Sequence, residues 1–72
     1  MEEKLCAIIA EILNVNREQI SRKTKVEDVE QWDSLAHLMI IEAIENKLGK
    51  TISIEKVVDI DSVEMIMELI GE

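Results

Sequence analysis

The sequence predicts an all-α fold, a small antiparallel helical bundle of three main helices plus one short helix. The 72 residues include no proline and only two glycines, too few for a turn-rich β fold. Hydrophobic residues make up 47% of the chain, yet Trp32 is its only aromatic, so the core must be aliphatic. Apolar residues recur at helical spacing in three separate stretches. A chain of this length makes one domain, residues 1–72, with no room for a second.

Residues 2–13 carry Leu5, Ile8, Ile9, Ile12 and Leu13 at the i, i+3, i+4, i+7 spacing of a core-facing helix. Glu2 and Glu3 stand at its start, where negative charge is favoured, and Asn14-Val15-Asn16 breaks the pattern. Residues 14–32 are polar and irregular, a length of loop that in a small domain is often functional. Val15, Ile20, Val26 and Val29 are spaced to pin it to the core, and residues 17–20 suit a short turn of helix.

The second helix runs from Ser34 to Leu48, with Asp33 as its N-cap and Gly49 in the left-handed position after the last turn. Residues 50–54 read as an extended link in which Ile52 and Ile54 alternate with polar neighbours, and 55–59 as one helical turn. The final helix covers about 62–70. Asp61 and Glu64 have capping-box spacing there with Asp in the cap role, and Gly71 ends the helix. Its core stripe is Val63, Ile66, Met67 and Ile70.

Sixteen acidic against eight basic side chains give a net charge of −8, which excludes nucleic acid as a partner and favours basic ones. The single Cys6 has no internal disulfide partner and lies within an apolar run, so an inert buried thiol is expected. No secretory-type leader and no apolar run of membrane length can be read, so a cytoplasmic protein without membrane insertion is expected.

The run Trp32-Asp33-Ser34-Leu35 places a small hydroxyl where a loop becomes a helix. Backbone N–H groups there have no intrahelical partner, and with the helix dipole they stabilise a phosphate on that hydroxyl. Asp61-Ser62-Val63 repeats the pattern, but Ser62 precedes only a short terminal helix and reads as a cap or first-turn residue.

At about 100° per residue, one arc of the second helix holds Ala36, Ile40, Ile41, Ala43, Ile44 and Leu48, which is the core face. The opposite arc holds Leu35, Leu38 and Met39 among Glu42, Glu45 and Asn46. Either the long loop folds over these apolar residues, or they form a docking face, apolar at its centre and acidic at its edge. His37 borders the core arc and reads as a packed or hydrogen-bonded residue, with a contact to a phosphate on Ser34 as the alternative. No second His or Cys forms a metal-ligand set with it. Asp33, Ser34 and His37 lie too close along one helix end for a catalytic triad, so no catalytic residues are assigned.

Over essentially its whole length the chain resembles the acyl carrier proteins. The resemblance rests on the amphipathic first helix, the long loop, Asp33-Ser34-Leu35 opening the second helix, the Glu45-Asn46-Lys47-Leu48-Gly49 exit, Ile52 in the link and Ser62-Val63 at the last helix. It implies that Ser34 carries 4′-phosphopantetheine, added from coenzyme A by a separate phosphopantetheinyl transferase. The thiol of that arm would hold an acyl or aminoacyl group as a thioester. Leu35, Leu38, Met39, Glu42 and Glu45 would meet the partners: the transferase, a loading enzyme, and downstream acyl-transfer or condensing enzymes. A monomeric, non-enzymatic carrier is the expectation.

Trp32 stands where many members have glycine, as in a subset with Trp-Asp-Ser-Leu followed by a histidine. Ala36, Met39 and Asn46 replace acidic positions of the fatty-acid-synthesis type. Both features resemble specialised carriers, of secondary-metabolite, surface-polysaccharide or similar pathways. The competing reading is an unmodified helical interaction module that uses the same second-helix face.

Overall fold

A computed structural model describes residues 2–71. They form helices α1 (Glu2–Leu13), α2 (Ser34–Leu48), α3 (Ile54–Val57) and α4 (Val63–Leu69), with single 3₁₀ turns at Arg17–Gln19 and Val26–Asp28. Among the described residues the only β pairing is an isolated antiparallel bridge between Lys25 and Ser62. The architecture is the all-α, acyl-carrier-like bundle of three main helices and a short fourth.

Helix α1 ends where Asn14 enters the left-handed region at φ 58°. The Asn14 N–H then donates to the Glu11 carbonyl (3.2 Å) and the Val15 N–H to that of Ala10 (3.0 Å). This is a Schellman closure with Asn, whose short polar side chain tolerates αL, in the place usually held by glycine. Gly49 likewise takes the left-handed conformation after α2, at φ 67°.

The core joins Leu5, Ile9 and Leu13 of α1, Ile40 and Ile44 of α2 and Val63 and Ile66 of α4, sealed by Ile20, Trp32, Ile52 and Ile60 from the connections. Burying each aliphatic side chain stabilises the fold by about 1.5–3 kcal/mol. Cys6 is fully buried in this cluster. Burial pushes its thiol pKa up, Glu2 and Glu3 add to the rise, and Arg17 pulls against it. The folded thiol thus keeps its proton where an unfolded one would ionise. Its contribution to stability is intact below the ordinary thiol range and is lost as pH rises above that range through the raised folded-state value.

The long loop turns inward rather than over α2. Ile20 is buried, and Val15, Val26 and Val29 pack against the core, as their spacing suggests. Arg17 holds the loop to α1 with two hydrogen bonds to Glu3 (2.6 and 3.0 Å) and donates a third to the Ile20 carbonyl at 2.7 Å. The distal end is tied to the start of α4, where the Val26 N–H meets the Asp61 carbonyl (2.9 Å) and the Val63 N–H the Thr24 carbonyl (3.0 Å).

Two expectations are corrected. The cap of α4 is Ser62, whose Oγ accepts from the Met65 N–H at 3.2 Å, and not Asp61. Asp61 instead gives its carbonyl to the loop, which moves the helix start one residue on. Ile54 does not share a face with Ile52. Ser53 starts α3 one residue earlier than expected, leaving Ile52 buried and Ile54 80% exposed.

Three ion pairs lie among the described residues, Arg17–Glu3, Arg22–Glu2 and Lys47–Glu11, all at the surface and individually weak. Each joins one positive to one negative group, so the net charge of −8 stands undiminished. Salt screens that self-repulsion over about 10 Å at 0.1 M. The melting temperature at neutral pH is therefore expected to rise with added sodium chloride. A flat or falling response in a calorimetric salt series would show that repulsion does not limit stability.

Candidate functional site

The start of α2 is built by Asp33. In an extended conformation (φ −96°, ψ −174°), its Oδ1 accepts from the Ala36 N–H at 2.8 Å and its carbonyl from the His37 N–H at 2.9 Å. Because Asp33 performs the capping, the neighbouring Ser34 is released from it. Ser34 is the first helical residue and exposed, and its hydroxyl has no hydrogen-bond partner among the described residues. The Ser34 and Leu35 N–H groups also lack acceptors there, so the positive end of the helix keeps two unpaired donors beside that hydroxyl. The second Asp-Ser pair is arranged in the opposite way. There the serine itself is the cap, and Ser62 is half-buried with its Oγ engaged. A shift of one residue in the cap makes one serine free and the other structural.

Beneath Ser34, Trp32 is buried and its indole N–H donates to His37 Nδ1 at 2.9 Å. An indole can only donate, so Nδ1 accepts and the ring proton lies on Nε2. Nε2 donates to the Val57 carbonyl, also at 2.9 Å. Both nitrogens of His37 are thus used in joining the loop, α2 and α3. Neither is free to act as a base on Ser34 or to reach a phosphate there, which bears out the hydrogen-bonded reading of this residue. Among the described residues no cluster of three or more His, Cys, Asp or Glu is placed to hold a metal ion. No helix among them is long and apolar enough to cross a membrane.

Along α2 from Ser34, Leu35 is 69% exposed, Leu38 58% and Met39 48%. The loop does not cover them. Glu42 is exposed at the edge of this face. Glu45 is half-buried, and its Oε2 accepts from the Ile52 N–H at 3.1 Å, so it also holds the link to α3. Ile54 and Val58, each 80% exposed, extend the apolar surface across α3. Sequence reasoning missed them because four helical residues are too few to show a period.

Two grooves lie along the seam between α2 and α3. The larger, about 550 Å³, runs beside Ser34 over Trp32, His37, Leu38, Val57 and Val58. The smaller, about 340 Å³, lies between Leu38 and Ile54 with Glu42 and Glu45 at its rim.

A free hydroxyl on a rigid helix end, two unpaired N–H groups and an adjoining groove form a fitting seat for a covalently held phosphate with a chain beyond it. No curated protein matches the chain. The family model described as phosphopantetheine attachment site matches residues 3–70. That match spans nearly the whole sequence, and the chain belongs to the phosphopantetheine-attachment family of acyl carrier proteins, whose cofactor is covalently held 4′-phosphopantetheine.

Proposed function

We propose that Ser34 is the attachment residue and that the protein presents an acyl or aminoacyl group to partner enzymes from the start of α2. The supporting observation is the division of labour between Asp33 and Ser34: the aspartate caps the helix and the serine hydroxyl stays exposed and unpartnered. In the transferase reaction Ser34 Oγ forms the new bond to phosphorus and the pyrophosphate link of coenzyme A breaks. The adenosine bisphosphate half leaves, and the transferase takes the hydroxyl proton. When bound, the arm supplies the thiol that holds the cargo as a thioester. This chain contributes a rigid anchor point, two N–H donors toward the phosphate, and a surface that partners read in turn. Intact mass after incubation with coenzyme A and a broad-specificity phosphopantetheinyl transferase tests this. One added phosphopantetheine is expected, and an unmodified chain under conditions that modify a control carrier would leave a plain interaction module.

The proposed docking face is Leu35, Leu38 and Met39 with Glu42 and Glu45 at its margin. Burying Leu38 or Met39 in a partner contributes about 1.5–3 kcal/mol each, against about 0.2–1 kcal/mol for an exposed ion pair. Leu38→Ala is therefore expected to speed dissociation of a cognate partner about tenfold or more. Glu42→Lys is expected to slow association and flatten its salt dependence, because rim charges act on encounter. Stopped-flow binding measures both rates, and wild-type values in both variants would return Leu38 and Glu42 to an ordinary surface. Glu45 is a poorer probe of docking because its removal also frees the Ile52 N–H.

The pathway we propose is a specialised biosynthetic one, supported by Ala36, Met39 and Asn46 on a helix that in fatty-acid-synthesis carriers is more acidic. A monomer is supported by the −8 charge, which repels a second copy. A reducing, cytoplasmic setting is supported by the lone buried Cys6.

A further inference from the structure

We infer that His37 and Glu45 lock α3 against α2 at both ends and so exclude the cargo from the protein interior, making this a carrier of short or polar cargo. The inference rests on Ser34 as the attachment residue. The way from Ser34 to the core leads through the groove beside it, whose floor is formed by the buried Trp32, Val57 and Ile60. To admit an alkyl chain, α3 must move away from α2. Two side chains of α2 oppose that movement.

At one end of α3, His37 donates from Nε2 to the Val57 carbonyl while accepting the Trp32 indole N–H, both at 2.9 Å. At the other, Glu45 accepts the N–H of Ile52, two residues before α3 begins, at 3.1 Å. Parting α3 from α2 breaks the His37–Val57 and Glu45–Ile52 bonds together. Moving His37 aside also strands the indole N–H of a buried tryptophan. All three bonds are part-buried, so losing them together carries a cost that water only partly repays. What remains open beside Ser34 is the outer rim of the seam, where Leu38 and Val58 offer exposed apolar surface. That rim suits a short acyl or aminoacyl group, which keeps its polar atoms in water, and leaves most of a long alkyl chain uncovered.

Two loaded forms test the inference. The isotope-labelled protein is loaded at Ser34 with amide-linked butanoyl or dodecanoyl analogues of coenzyme A, and methyl spectra are compared with those of the unacylated holo form. The signals of Ile40, Ile44 and Ile66, all fully buried, are expected to stay in place for both lengths while Leu38 and Val58 shift. The melting temperature is expected to be independent of chain length. Dodecanoyl-dependent shifts of the three isoleucines would overturn the proposal. In the double variant His37→Ala with Glu45→Ala, the dodecanoyl form is expected to move those same signals. A folded variant whose core stays silent would overturn the assignment of the lock to these two residues. Should the variant not fold, the wild-type series decides alone. A chain that gains no mass on loading would instead overturn the Ser34 reading beneath it.

Discussion

Ser34→Ala is expected to take up no phosphopantetheine, whereas Ser62→Ala is expected to be modified as fully as the wild type. The contrast follows from the caps. Asp33 Oδ1 holds the Ala36 N–H at the start of α2, so removing the Ser34 hydroxyl breaks no hydrogen bond, and stability should change by less than about 0.5 kcal/mol. Ser62 Oγ holds the Met65 N–H, so its loss should cost about 0.5–2 kcal/mol while leaving the modification site untouched. Intact mass reads the first effect and urea denaturation the second. Full modification of Ser34→Ala would show that another residue is the attachment point.

Trp32→Ala is expected to destabilise the fold by about 3–5 kcal/mol, the usual cost of truncating a buried aromatic. A domain of this size has a total stability of only about 4–11 kcal/mol, so the substitution is expected to remove a large share of it. Two losses combine: the cavity beneath the start of α2, and the donor to His37 Nδ1. Trp32→Phe keeps most of the volume and should cost less, about 1–3 kcal/mol, for the acceptor left unpaired. Far-UV circular dichroism in urea ranks the three proteins, since the only tryptophan is lost in both variants. Equal midpoints for Trp32→Ala and wild type would mean that the ring does not support the site.

Most of the helical frame was legible because long elements state their period. The stripe Leu5, Ile9, Leu13 and the exit at Asn14 defined α1, and Asp33 and Gly49 bracketed α2. Ser34 was legible because the helix start it occupies also carries a strong cap just before it. At α4 two good caps stand side by side, and local preference cannot separate Asp61 from Ser62. The choice is made by the distant Val26 N–H, which claims the Asp61 carbonyl.

The openness of the α2 face was equally undecided by periodicity. It depended on where the loop's own apolar residues pointed, and Ile20, Val26, Val29 and Trp32 turn into the core and leave Leu35 and Leu38 uncovered. The bonds from His37 to Val57 and from Glu45 to Ile52 gave no sequence signal. They join residues twenty and seven positions apart, across a connection whose path is set only by folding.

The proposed attachment point of the cofactor is the serine that the Asp33 cap leaves free. Its most direct test is a peptide map of the wild-type protein after modification by coenzyme A and transferase, with fragmentation to locate the added mass. A single phosphopantetheine on Ser34, with the peptide containing Ser62 unmodified, is the expected result. The added group on Ser62 or on any other residue would contradict the account.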